Sequence, residues 1–361
     1  MPQRQVKFAN QQLGDGHPCF ITFEAGPTHN GLESAKELAR IAAESGAGAI
    51  KFQIFDADKL VADKKQMFSY DVLVDKKTGK TETVEEPLYD ILSRRQLKKD
   101  EWKELKKYTD TLKLAFFATV GFEEDIRLLE ELNCDSIKIA SADVNHWPLL
   151  RMAAKTGMCI QLDTGNAQIG EIEEAIDIIR KEGNERIIIH QCPSGYPARI
   201  PSINLRIIET LRQIFPYPVA YSDHTPGHDM DIVAIALGAN LIEKTITKDR
   251  TTRSVEHLFS LEPAEVTGFI QTIRDIETAL GNTRRLMQPE EIAKRTKIRR
   301  SLHLAEAAKK GSKLSEIRTE FRRPGNGISP TQFEELKNCF LAKDLAADQQ
   351  LNISDIKFNN D

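Results

Sequence analysis

Two lysines, Lys51 and Lys138, each interrupt a short apolar run, in Lys51-Phe52-Gln53 and in Lys138-Ile139-Ala140-Ser141. An ammonium in such surroundings is costly unless an anion accompanies it, and a phosphate or carboxylate ligand removes that cost. Other polar residues close apolar runs in the same way: Glu24, Thr119, Asp163 with Thr164, Ser194 with Tyr196, and Ser222-Asp223-His224. Hydroxyls and backbone amides beside two ammoniums can share the oxygens of one oxyanion, while a neighbouring acid handles protons.

The elements that must position these residues are eight short, nearly all-apolar runs, the pattern of buried parallel strands. They are Phe20 to Glu24, Ala49 to Gln53, Ala115 to Thr119, Ser136 to Ala140, Cys159 to Leu162, Ile187 to His190, Val219 to Ser222 and Leu241 to Thr245. Helical stripes alternate with them. Ile169, Ile172, Ile176 and Ile179 share one face, Leu205, Ile208 and Leu211 repeat the spacing, and a last helix runs from Pro263 to a stop at Gly281. Eight strand–helix pairs close most economically into an α/β fold of the (β/α)8 TIM-barrel type over residues 1–281, ahead of an open doubly wound sheet. In a barrel the strand ends share one rim, so the polar residues above converge.

The segment Asp56 to Arg95 breaks the rhythm after the second strand, and a loop that long covers an active site. Beyond Gly281 a charged linker over 282–296 leads into a compact, turn-rich domain over 297–361. The balance of 50 basic and 54 acidic residues, with no long basic run, points away from nucleic acid and toward small-molecule chemistry. The polar Met1 to Gln12 is no export signal and no run is long enough to span a bilayer, so no membrane partner is expected. Five scattered cysteines read as reduced thiols of a cytoplasmic protein.

Glu24-Ala25-Gly26, His29-Asn30-Gly31, Lys51-Phe52-Gln53, Lys138-Ile139-Ala140-Ser141, Ser222-Asp223-His224-Thr225 and Arg323-Pro324-Gly325-Asn326-Gly327 occur in that order. Taken together they make the chain resemble the sialic acid synthase family from about Phe20 to the C-terminus. The resemblance implies a TIM barrel followed by an antifreeze-like domain that caps the substrate. It implies condensation of phosphoenolpyruvate with N-acetylmannosamine or a related amino-sugar aldehyde, with Mg2+ or Mn2+ as cofactor. Lys51, Lys138, Ser141 and Ser194 would cradle the phosphate and carboxylate, helped by Thr119, Thr164 and Ser222, and Glu24 would handle protons. His224 would ligate the metal, Gln53 and Asp223 would position water or sugar, and Tyr196 would contact the acceptor. Arg323 would reach into the partner's site in a domain-swapped homodimer.

The chain departs from the family pattern at Thr245, where a second metal-ligating histidine is usual, and at Asp163, where serine is usual. Water, a harder ion such as magnesium, or His257 would fill the gap left by Thr245, and the first two are favoured. Asp163 would repel the phosphate or assist a metal. No counterpart of the acceptor-binding asparagine stands around Glu82 to Tyr89. Two other functions follow from these departures: condensation of phosphoenolpyruvate with a different aldehyde, or ligand binding without catalysis. Lys244 reads as a solvated charge, His190 and His303 as packing or surface residues, and His146 as a helix start. Cys192 reads as a small buried residue, and His29 as a brace for the first loop as readily as a functional group.

Overall fold

A computed structural model describes residues 4–359 and divides into two compact units, one up to Gly281 and one from Asn282 onward. In the first unit eight parallel strands close a barrel in sequence order: β1 Phe20–Glu24, β2 Ala49–Gln53, β3 Ala115–Val120, β4 Ser136–Ile139, β5 Cys159–Asp163, β6 Ile187–Gln191, β7 Val219–Asp223 and β8 Leu241–Thr245. Closure between β8 and β1, which pairs Thr245 with Glu24, rules out the open sheet.

Side chains alternate between the two faces of each strand, and the alternation decides what the barrel encloses. Ile21, Phe23, Ile50, Phe52, Ile137, Ile139, Ile160, Leu162 and Tyr221 join the main core with the surrounding helices. Their neighbours point inward. At the N-terminal end of the strands, Phe20, Ala49, Phe117, Cys159, Ile188, Ala220 and Leu241 form an apolar floor. One step further along sit Lys51, Lys138, Gln161, His190, Ser222 and Glu243, all buried. The floor is completed by an N-terminal hairpin, Gln5–Phe8 with Gln11–Gly14, whose Phe8 ring lies 5.0 Å from Phe20 and 5.6 Å from Phe117.

Most helices form where their stripes predict, but of Leu205, Ile208 and Leu211 only the last two lie in helix Ile207–Ile214, Leu205 sitting in the turn before it. Helix Ile169–Lys181 buries Ile172, Ile176 and Ile179 but leaves Ile169 exposed, because its first turn overhangs the core. The last barrel helix spans Pro263–Leu280 with Gly281 as its cap, and His146 caps helix Trp147–Lys155. The segment after β2 is not a plain loop: it holds a hairpin, Met67–Asp75 with Lys80–Pro87, and helices Ala57–Leu60 and Leu88–Ser93. Tyr70, Val72 and Ile91 give this excursion a small core of its own.

In the second unit the stretch read as a linker contains helix Pro289–Ile298, with Pro289 at its first position and Gln288 and Glu291 closing a capping box. Strands Ser301–Leu304 and Thr319–Arg322 pair antiparallel, and Leu302, Leu304, Leu314, Ile328, Leu341 and Leu351 form the core. His303 is an ordinary packing residue, its Nδ1 3.0 Å from the Ser301 carbonyl. No helix among the described residues is long and apolar enough to cross a membrane.

Candidate active site

Above the barrel floor lies a cavity of about 320 Å3, lined by Glu24, Lys51, Gln53, Thr119, Ser141, Asp163, Cys192, Tyr196, His224, Glu243 and Glu256, among others. Its apolar wall, Phe68, Leu88, Ile91 and Leu92, comes from the excursion after β2. Two glycines admit the backbone here. A Cβ on Gly26 would lie 2.7 Å from the Gln53 nitrogen, and one on Gly165 would lie 2.2 Å from the Cys192 carbonyl oxygen. The Glu-Ala-Gly and Asp-Thr-Gly sequences at the ends of β1 and β5 thus have a steric reason.

The two lysines meet at Glu243, which the sequence reading did not single out. Its Oε1 lies 2.8 Å from the Lys51 ammonium and its Oε2 lies 2.8 Å from that of Lys138. Lys51 also pairs with Glu24, and Lys138 with Asp163 at 2.9 Å. The expectation that these lysines need a ligand to neutralise them is therefore corrected: three carboxylates already surround two ammoniums. Beneath them Lys138 donates to His190 Nδ1 at 2.9 Å and to Ser222 at 3.2 Å. The other ring nitrogen, Nε2, donates to Gln161 at 3.0 Å, which fixes the tautomer. His190 is thus part of the polar floor rather than a bystander.

The electrostatics follow from burial and these pairs. Burial opposes charge on Lys51, yet Glu24 and Glu243 hold its pKa well above the usual lysine value. Burial would raise Glu243, but Lys138 and Lys51 outweigh it and the carboxyl lies below its ordinary range. Glu24 goes the other way: burial, reinforced by Glu243, raises it despite Lys51. Burial pushes Glu256 up to about 8, with Glu24 adding to the rise. Burial also lowers His224 and His190, so both imidazoles are neutral at pH 7.

The placement of the remaining residues is mixed. Gln53, Thr119, Ser141, Tyr196 and His224 line the cavity, and the rings of Tyr196 and His224 lie 4.7 Å apart. Thr164 instead donates to the His190 carbonyl at 2.8 Å, and Ser194 donates to Asn166 at 3.0 Å, so both face a neighbouring surface depression. Asn166, which had carried no expectation, ties Ser194 to Ser141, donating to the latter at 3.3 Å. Asp223 does not face the cavity. It is the outward-pointing end of β7, bound to Lys244 and to the Thr225 hydroxyl and amide. Lys244 is correspondingly buried between Asp223 and Asp231, not solvated. Arg323 is exposed in the second unit and has no ion-pair partner among the described residues. Cys192 is buried on the cavity wall, and its thiol is held well above the usual range by burial and Asp163, which makes it a poor nucleophile.

A metal would find a sparse donor set. His224 Nδ1 donates to the Pro193 carbonyl at 3.2 Å, which leaves Nε2 with a free lone pair. Thr245 sits 3.5 Å from Glu256 Oε2 on the same side of the barrel mouth, and His257 lines a different cavity with Nδ1 2.7 Å from Thr247. Among the described residues no three His, Cys, Asp or Glu groups form a cage. His224 and Glu256 line the same cavity, and one imidazole with a carboxylate suits an oxygen-loving ion that keeps water and substrate as its other ligands.

The profile of the NeuB family matches residues 38–285. The chain belongs to that family. It is 34% identical over 339 residues to the N,N'-diacetyllegionaminic acid synthase of Legionella pneumophila, covering 92% of this chain and 93% of that one. It is 32% identical over 305 residues to the human N-acetylneuraminate-9-phosphate synthase, with 84% and 82% covered. The crystal structure of a sialic acid synthetase from Leptospira borgpetersenii superposes on this NeuB-family chain with a TM-score of 0.70 at 29% identity, covering 81% of this chain and 95% of that one.

Proposed function

We propose that this NeuB-family chain condenses phosphoenolpyruvate with the open-chain aldehyde of N-acetylmannosamine or a related amino sugar, as the names of its relatives suggest. The observation that carries the reading is Lys51, an ammonium set into the cavity wall with Thr119 and Ser141 lining the same space. An anionic three-carbon donor held there would orient C3 toward an acceptor bounded by Gln53, Tyr196 and His224.

C3 of the donor forms the new carbon–carbon bond, and the aldehyde oxygen becomes a hydroxyl by taking a proton. Water then adds at C2, and phosphate leaves with its bridging oxygen. Glu24, whose carboxyl is raised by burial despite Lys51, handles the proton at the aldehyde oxygen. Lys51 and Lys138 stabilise charge as it develops on the donor, Lys138 from beneath through the Glu243 bridge. Mg2+ or Mn2+, held by His224 Nε2 and Glu256, would polarise the aldehyde. The cytoplasmic setting is supported by five buried, unpaired cysteines. A domain-swapped homodimer with Arg323 in the partner's site completes the proposal.

The test is phosphate release from phosphoenolpyruvate with a panel of N-acetylated amino sugars and either metal, with products identified by mass spectrometry. A product three carbons longer than the sugar is expected. No phosphate release across the panel with both metals would overturn the reading. Thr245, paired with Glu256 rather than presenting an imidazole, favours a second outcome in which an aldehyde outside the N-acetylmannosamine group is the better acceptor.

A further inference from the structure

A second cavity, of about 390 Å3, opens on the same rim between the segments that follow β1, β2 and β8. Its lining is basic and rich in donors. Arg94, Arg95, Lys248 and Arg253 stand against a single acid, Asp249, with Thr252 and Ser254 between them. Most of these charges are already matched. Arg94 forks onto Glu86 at 2.9 and 2.7 Å, Lys248 pairs with Glu37 at 2.5 Å, and Asp249 pairs with Lys76 at 2.9 Å.

Arg95 and Arg253 are not. Arg95 is only 4% exposed, and its guanidinium meets backbone carbonyls alone, those of Ile91 at 3.3 Å and Pro27 at 3.0 Å. No carboxylate pairs with it or with the exposed Arg253 among the described residues. His29 adds a second unmet group: it is 2% exposed, its Nδ1 accepts from the Gly31 amide, and its Nε2 has no partner. A buried guanidinium without a counterion is costly, and a planar fork matched to an oxyanion is the usual remedy.

Arg95 also lines the first cavity, and the wall between the two is the segment Ser254 to His257. Val255 and Glu256 face the first space, and Ser254 and His257 face the second. Glu256 turns between them in the left-handed region, at φ 69°. A ligand that fills the first cavity therefore has at its edge a buried guanidinium with no direct salt bridge, attracted only at longer range by Glu256 and Glu24.

We propose that the second cavity receives the phosphate ester of a phosphorylated sugar acceptor, with Arg95 and Arg253 on its oxygens and the aldehyde end in the first cavity. This rests on the condensation proposed above and narrows its acceptor to the phosphorylated class. The test is calorimetry on the full chain with N-acetylmannosamine 6-phosphate, N-acetylmannosamine and inorganic phosphate as separate probes. The phosphorylated sugar should bind about ten-fold tighter than the free sugar. Arg253→Ala, at an exposed position that leaves folding intact, should cut that preference to about three-fold or less. Arg95→Lys keeps the charge but loses the fork, and should weaken the phosphorylated sugar selectively.

Equal affinities for the two sugars would overturn the proposal, as would a preference untouched by Arg253→Ala. Inorganic phosphate binding as tightly as the sugar phosphate would make this a free-phosphate site and equally sink the sugar assignment. A parallel titration with phosphoenolpyruvate separates the two readings. If the donor fails to bind while the sugar-phosphate preference persists, the condensation falls and the subsite stands.

Discussion

Glu243 holds two lysines with one carboxylate, and removing its charge asks more of the fold than removing either lysine's other partner. Glu243→Gln leaves Lys51 with Glu24 and Lys138 with Asp163, both at the edge of a desolvated layer. Breaking two buried pairs at once costs about 3–5 kcal/mol, because each ammonium stays buried with one carboxylate fewer. Urea denaturation should show a loss of about that size, and a loss below about 1 kcal/mol would mean that the two ammoniums are not held through Glu243. Asp163 is the opposite case. Its carboxylate sits on the cavity side of Lys138 and repels any anionic donor, so Asp163→Asn should tighten phosphoenolpyruvate by about ten-fold. Weaker binding in a calorimetric titration would show instead that Asp163 is needed to aim the ammonium.

At the scale of strands and helices, the chain's alternation says more than its motifs do. All eight barrel strands stand where the apolar runs place them, within a residue at their C-terminal ends. Counting by twos from the floor residue Leu241 puts Glu243 and Thr245 inside the barrel and Lys244 outside. Counting from Ala220 puts Ser222 and His224 inside and Asp223 outside. Motif order grouped Asp223 with its neighbours and missed Glu243, because a motif records adjacency in sequence while a strand sends adjacent side chains to opposite faces. The N-terminal hairpin was illegible for another reason: its four-residue strands pack through contacts distant in sequence, such as Phe8 on Phe20 and Phe117, and in the excursion after β2 the apolar face of Met67–Asp75 packs in part on Val255, far along the chain. The outward pair has its own consequence. Lys244 fastens β8 to Asp223 on β7 and to Asp231 on helix Asp229–Ala236, behind the loop that carries His224. Burial, opposed by Lys244 and reinforced by Asp223, holds the Asp231 carboxyl well above its usual range. Asp231→Asn removes only a charge that burial already opposes and should change stability by less than about 1 kcal/mol, whereas Asp223→Asn should cost about 3 kcal/mol. Equal losses in thermal or urea unfolding would show that Asp231 is ionised in the clasp.

Across the whole barrel, acid should unfold the protein through imidazoles that the fold keeps neutral. Burial lowers His29 to about 4, with Arg95 adding to the effect, and lowers His257 to about 4 for the same two reasons. Burial also lowers His190 and His224 below the ordinary value of 6.5. Between about pH 6.5 and 4 the unfolded chain binds protons at His29 and His257 and the folded chain does not, so stability falls as pH falls through that window, and the lowered His190 and His224 act in the same direction. The slope approaches about 1.4 kcal/mol per pH unit for each of His29 and His257. Glu256 works against them. Its folded value of about 8 lies above the unfolded 4.5, so the folded state gains protons first and stability rises on acidification from pH 8 to 4.5. Total acid sensitivity is therefore a difference of opposing contributions, and a single histidine is best read by comparison with its own variant. His257→Gln removes one neutral imidazole held by Thr247 and should shrink the stability lost between pH 7.5 and 5 by about 2 kcal/mol. The readout is urea denaturation at both pH values on wild type and variant. An unchanged difference would mean that His257 is already protonated in the folded barrel, or exposed to solvent, against its 4% exposure.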